Sequence, residues 1–440
     1  MDAHKLRLSE ASRLIRIGEL SPSELLESLL SRIDRLEPHL EAWVTLDREG
    51  ARDTADRLTK EADEGRLRGP LHGIPVGIKD IYYTAGLKTT MGSPIYRDFV
   101  PSYDAATVAR LRESGAIILG KTETTEFAAH DPAPTRNPWN LEHTPGGSSS
   151  GSAAAVSSGM CPAALGTQTG GSVIRPAAYC GVVGMKPTYD LISRHGVYPL
   201  SWSLDHVGFF TRAVEDVAIL LDVLADINIP SSEKTTDGAT SYRFGLLRGY
   251  FHDNAHEEVW KGFEEAVERL RNAGAEVVEA PLSESFEAVH AAHRVIMASE
   301  AASVHDDNFR KRKSDYRINM RGLLASGLLV PASAYIRAQR IRGRFRRETA
   351  ALLREVDCIL TPSATTPAPH GLGYTGDPAF NAPWSFCGFP SITVPSGLDK
   401  EGLPLGIQLI CGPFQEAHLI EAARWCEGVL NFTKEPRDLD

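Results

Sequence analysis

Apolar residues first recur at helical spacing behind Ser21-Pro22-Ser23-Glu24, where Leu25, Leu26, Leu29, Leu30, Ile33 and Leu36 mark one face of a helix. Ser21 reads as its N-cap, Pro22 as the first helical residue, and Glu24 closes a capping box. Farther along, short apolar runs alternate with helical patterns. Residues 75–79 read as a strand, 105–114 as a helix that Gly115 ends, and 116–119 as a buried strand. The alternation continues with helices at 214–224 and 257–272 and strands at 243–247 and 275–278. Strands at 357–360, 391–394 and 405–410 precede a last helix at 416–429. This order predicts an α/β fold, a large mixed and mostly parallel twisted β-sheet covered by helices on both faces.

No repeat or low-complexity tract interrupts the chain. The expectation is a single domain over 1–440, with a core at about 65–225, a C-terminal part of the sheet at 355–430 and a helical cap at about 284–350. Residues 229–240, with Pro, Ser, Thr and Asp, read as a linker.

At 440 residues, 42% hydrophobic and 24% charged, the chain can bury a large core. A net charge of −10 argues against general nucleic-acid binding, which a broadly basic surface would reward. One stretch differs: between Arg310 and Arg347 the charged residues are basic except for Asp315. It reads as a solvated helical face, with recognition of an anion as the sharper alternative. The six cysteines form no C-x-x-C pair and no local zinc spacing, so they are expected reduced and buried, with no metal. The N-terminus leads into an amphipathic helix, and no apolar run is long enough to cross a bilayer, so a cytoplasmic location without membrane contact is expected.

Residues Gly115 to Thr122 fit the literal pattern of a phosphate-binding loop, yet their four middle residues are themselves the strand, which leaves no free N–H groups for phosphate. Two Gly/Ser clusters carry more chemistry. Gly146-Gly147-Ser148-Ser149-Ser150-Gly151-Ser152 supplies hydroxyls, and Thr169-Gly170-Gly171-Ser172 can turn consecutive N–H groups toward one point as an oxyanion nest. Ser172 needs a base to become a nucleophile. Lys79 can serve if burial keeps it neutral, and strand alternation points the neighbouring Asp80 away from it.

Lys79 in His-Gly-Ile-Pro-Val-Gly-Ile-Lys-Asp, Asn137-Pro138-Trp139-Asn140, both Gly/Ser clusters and Cys180-Gly181-Val182-Val183-Gly184-Met185-Lys186-Pro187-Thr188 follow one another with spacing that resembles the amidase signature family. The likeness extends more loosely to Gly388-Phe389-Pro390-Ser391 and the residues after it. It implies a Ser-cis-Ser-Lys triad: Ser172 as nucleophile, Ser148 as bridging serine after a cis Gly147–Ser148 bond, and Lys79 as base. It also implies an oxyanion hole from the N–H groups of Thr169, Gly170, Gly171 and Ser172, and hydrolysis of a small-molecule amide through an acyl-enzyme without any cofactor. A homodimer is the assembly expected. The family includes the glutaminase subunit of tRNA-dependent amidotransferases, which stands as the alternative, as does a non-enzymatic subunit of an assembly.

The chain departs from the family's pattern around the nucleophile. Gln168 stands where an acid is common, Ile174 where an arginine is common, and Arg175 follows one place later. A neutral brace in place of a charged pair is expected, since losing only one partner would strand a charge. Arg175 is then a candidate for a substrate carboxylate, and Arg342 for the carboxylate of glutamine, whereas Asp377 fits the matching acidic position poorly. Phe127, Trp202 and Trp384 are candidates for an apolar acyl pocket. Cys161 or Cys180 would serve a nitrilase-like cysteine mechanism but read as packing residues, and His72, His130 and His143 read as structural or surface groups.

Overall fold

The capping box forms as expected: Glu24 N donates to Ser21 Oγ at 3.1 Å, Ser21 N donates to Glu24 Oε2 at 2.8 Å, and the helix runs over Pro22–Leu40 with its leucine face buried. The structure, a computed structural model, describes residues 2–227 and 241–437; the expected linker at 229–240 lies outside the described residues.

Eleven strands form one sheet among the described residues: β1 (Trp43–Leu46), β2 (Pro75–Lys79), β3 (Ile117–Thr122), β4 (Ala163–Gln168), β5 (Val183–Lys186), β6 (His206–Thr211), β7 (Arg243–Leu247), β8 (Glu276–Ala280), β9 (Cys358–Pro362), β10 (Ser391–Leu398) and β11 (Pro404–Ile410). Their order is β1-β3-β2-β4-β6-β5-β10-β11-β9-β7-β8. The sheet is mixed, as expected, but it is not mostly parallel. Parallel pairs join β3, β2 and β4 on one flank and β9, β7 and β8 on the other, while every pair from β4 through β6, β5, β10 and β11 to β9 is antiparallel. Short connections force part of this. β10 returns as β11 through a turn in which Asp399 Oδ1 accepts from Glu401 N and Leu403 N, and so tight a link permits only antiparallel pairing.

Both faces are covered. Alternate residues of β3 divide between two apolar clusters, Ile118 in one and Ile117 and Leu119 in the other, as the pleat requires. The second cluster includes Ala153 to Val156 of a helix at Ser150–Ser157, whose small side chains let it lie close against β4. The supposed phosphate loop is strand from Ile117 onward. Helices Phe286–Arg312, Ile318–Leu328 and Ala332–Leu352 occupy the stretch read as a helical cap, and its arginines make exposed surface pairs such as Arg310–Asp306 and Arg344–Glu284, the solvated face anticipated. Among the described residues, no helix is long and apolar enough to cross a membrane.

Candidate functional site

β2 ends in Lys79, fully buried, with Nζ 2.7 Å from Ser148 Oγ and 2.8 Å from Thr167 Oγ1. Burial pushes the amine well below the ordinary lysine range, and the Asp205 carboxylate opposes this only through space. The identity of its partners matters as much as burial. A hydroxyl can accept from an ammonium or donate to a free amine, so this site accommodates a neutral lysine without leaving a polar atom unpaired. Asp80 does point away, its Oδ2 accepting from Thr90 N at 2.9 Å and Thr90 Oγ1 at 2.5 Å.

Ser148 follows a cis Gly147–Ser148 peptide and lies one residue before Ser149, the N-cap of the Ser150–Ser157 helix. The second Gly/Ser cluster leaves β4 and leads to the helix Ile174–Cys180. Its carbonyls are held: Thr169 O accepts from His293 Nε2 at 2.9 Å and Gly170 O from Ser385 Oγ at 2.8 Å. Among the described residues, the N–H groups of Gly170, Gly171 and Ser172 make no hydrogen bond to the protein. Carbonyls tied back and N–H groups left open are what an anion nest requires. Gly171 is needed for packing, because a Cβ there would lie 2.6 Å from Asn381 Oδ1. Ser172 is slightly exposed, and its Oγ has no hydrogen bond among the described residues, so the link from Ser172 to Ser148 is open.

The expected neutral brace is present. Gln168 Oε1 accepts from Val173 N at 2.9 Å and Ile174 N at 3.0 Å, while its Nε2 donates to Ser385 Oγ at 3.1 Å. Arg175 makes no ion pair among the described residues. It is buried, its Nη2 donates to Gly147 O at 2.7 Å and to Thr375 Oγ1 at 3.3 Å, and Nε and Nη1 have no protein partner. The arginine therefore grips the first serine cluster rather than the loop beneath the nucleophile.

The other substrate candidates disperse. A cavity of about 220 Å³ abuts the relay at Thr167 and Thr169, and Trp202, half exposed, lines it with Ile81, Tyr198 and Leu200. Phe127 is buried in an aromatic cluster with Tyr96, Tyr198, His305 and Tyr316. Trp384 is buried in the core, stacked near Phe251 and tilted against Phe345, and lines a cavity with Phe286 and Phe345 that does not include the relay residues. Arg342 donates to Phe386 O at 2.7 Å and Ser203 O at 2.6 Å, which ties the cap to the body. Cys161 and Cys180 are buried, and desolvation raises both thiols, Cys161 to about 12, the opposite of an activated nucleophile. His72 and His143 bond main-chain carbonyls of Leu58 and Ala368, and His130 is an exposed side chain.

Three participants escape a reading of the sequence. Thr167 holds Lys79 from β4; its signal is alternation on a strand too small-sided to be read as one. Asp205 accepts from Thr169 Oγ1 at 2.6 Å and from the N–H groups of Leu200 and Ser201, joining the nest to the loop before β6. His293 reaches in from the cap, and burial pulls its imidazole down to about 4, so it is neutral and donates to Thr169 O.

The protein family described as Amidase matches residues 24–420. The A subunit of the glutamyl-tRNA(Gln) amidotransferase of Halothermothrix orenii is 36% identical over an alignment of 486 positions, covering 99% of this chain and 100% of that protein. A solved amidase superposes with a TM-score of 0.88 at 33% identity, covering 96% of this chain and 99% of the other. The A subunit of the glutamyl-tRNA(Gln) amidotransferase of Thermotoga maritima superposes with a TM-score of 0.82 at 31% identity, covering 97% and 95%.

Proposed function

Since the chain belongs to the amidase family, we propose that it cleaves a carboxamide through an acyl-enzyme on Ser172, with Ser148 carrying the proton to Lys79. The observation that carries this reading is a fully buried lysine bonded to two hydroxyls, one of them Ser148. Substrate binding closes Ser172 onto Ser148, a contact of the kind that tightens only in the complex. Ser172 Oγ then attacks the carbonyl carbon, its proton passes to Ser148 Oγ, and the Ser148 proton passes to Lys79 Nζ. The tetrahedral oxyanion faces the N–H groups of Thr169 to Ser172, each well-placed donor worth roughly 3–4 kcal/mol. Collapse expels ammonia or an amine, which recovers the proton along the same route, and water repeats the sequence on the ester. The cavity beside Thr167 and Thr169 suits a small acyl group.

A second reading shares every step to the acyl-enzyme and takes glutamine as the amide, with the ammonia passed to a partner protein. Whole-length similarity to the A subunits of amidotransferases favours it. One measurement separates the two: ammonia released from a panel of small primary amides and from glutamine, by the chain alone and with candidate partner subunits. Turnover of small amides by the isolated chain favours a stand-alone amidase, and release from glutamine only with partners favours the amidotransferase reading. Undiminished release in Ser172→Ala would defeat both.

A further inference from the structure

The sequence offers no local zinc spacing, yet the fold gathers two cysteines and a histidine from three separate elements. β9 and β11 pair antiparallel through Ile359↔Ile410, and continuing that register sets Cys358 directly opposite Cys411. Their Sγ atoms lie 2.9 Å apart, both fully buried, and Cys411 Sγ is 3.3 Å from Asp357 O. His418, in the first turn of the helix Glu416–Leu430, places an imidazole nitrogen within 4.8 Å of both sulfurs. Among the described residues, this is the one group of three or more His, Cys, Asp or Glu side chains close enough to share an ion. Asp357 Oδ1 stands 3.4 Å from His418 Nε2, and both side chains are less than one-fifth exposed.

We propose that Cys358, Cys411 and His418 bind a thiophilic divalent cation of the zinc class, with Asp357 orienting the imidazole. Two thiolates and an imidazole make a donor set that zinc accepts at ~2.0–2.3 Å in tetrahedral geometry, with water in the fourth position. A carboxylate behind a ligating histidine is the usual outer-shell support. The sulfurs sit closer than neutral thiols normally do, and a small side-chain rotation would open them around a cation. Binding exchanges the two thiol protons for the metal and releases them to solvent. The partly exposed His418 and Asp357 give the ion its way in. The bound ion would fasten the last helix to the start of β9 and the end of β11, adding stability outside the amide-cleaving relay.

The reduced full-length chain titrated with cobalt(II) tests this. The expected result is a thiolate-to-cobalt charge-transfer band that saturates stoichiometrically, is displaced by zinc, and is accompanied by a higher Tm with zinc than with chelator. His418→Ala keeps both core cysteines and should abolish the band in a folded protein, while Asp357→Asn should weaken cobalt binding about 10- to 100-fold. The absence of a band in the reduced wild-type chain overturns the proposal, as does a band unchanged in His418→Ala. A purified chain two hydrogens lighter than the dithiol, in which a Cys358–Cys411 disulfide persists under reductant and excludes cobalt, overturns it too.

Discussion

Lys79 and Lys121 lie on adjacent parallel strands, both fully buried, and point to opposite faces of the same sheet. Their surroundings separate them. Lys121 bonds Tyr82 O, Thr84 Oγ1 and Thr89 Oγ1, with Asp80 Oδ1 at 3.9 Å, so a main-chain acceptor and a carboxylate favour its charged form. Desolvation still lowers it to about 8, but it remains a cation that ties loops to a strand. Lys79 has hydroxyls instead, and desolvation carries it well below the ordinary lysine range. Burial alone therefore does not make a base of a lysine. The base is made by burial among partners that tolerate both protonation states.

Substituting the two lysines by methionine gives the strongest test of this contrast. Lys79→Met should lower kcat for amide cleavage by about 10⁴-fold, the range a positioned base supplies, while leaving Tm unchanged or raised because a costly buried amine is gone. Lys121→Met should retain the chemistry and lose about 3 kcal/mol of stability, since it strands Asp80 and a carbonyl in the interior. Activity assays and urea unfolding of both variants check it. If Lys121→Met were the inactive and stable one, the assignment of roles would be reversed.

The pH dependence sharpens the same point. The neutral amine is required, so kcat/KM should fall along an acid limb as pH drops through the depressed Lys79 value. Asp205 favours the charged lysine, so Asp205→Asn should move that limb to lower pH. An unmoved limb would show that Asp205 matters only through Thr169. The folded chain holds fewer protons at Lys79 than the unfolded chain between the depressed and the ordinary value, so stability rises with pH across that window. Lys79→Met should lose this contribution to the rise, while the depressed Lys121 keeps its own, so the slope of stability against pH should be shallower than in the wild type.

What is legible in the sequence follows the chemistry of the strands. β2, β7, β10 and β11 carry enough branched apolar residues to be recognised, and Lys79 comes with β2. β4 and β5 do not announce themselves, and β6 goes unread despite Val207, Phe209 and Phe210, although the three hold Thr167, flank the nest and carry the antiparallel centre of the sheet. Their alanines and glycines are there because neighbours come close: a Cβ at Gly166 would lie 2.6 Å from Phe210 and 2.8 Å from Ser149 Oγ. Close packing thus removes the periodicity that would reveal it. Local motif order locates Ser148 and Ser172, whereas Asp205 and His293 meet the nest only through tertiary structure. Trp384 is a core residue and does not line the cavity beside the relay; size and apolarity suit either place.

The smallest effect tests the brace beneath the nucleophile. Gln168 uses both ends of its amide: the oxygen accepts two N–H groups at the start of the helix after Ser172, and the nitrogen supports Ser385, which in turn holds Gly170 O. Gln168→Glu keeps the acceptor but loses the donor, and it buries a carboxylate that Arg175 is not placed to neutralise because that guanidinium holds Gly147 O. A loss of roughly tenfold in kcat is expected, equivalent to about 1.4 kcal/mol of transition-state stabilisation, with KM nearly unchanged because the brace acts on the oxyanion donors. Burial should also raise the new carboxyl, so the deficit should shrink at low pH where it is protonated and can again donate to Ser385. Comparing Gln168→Glu with the wild type at each pH removes the Lys79 limb, which both share. A deficit that grew instead as pH fell would mean that the carboxylate, not the neutral amide, is the better support for the loop.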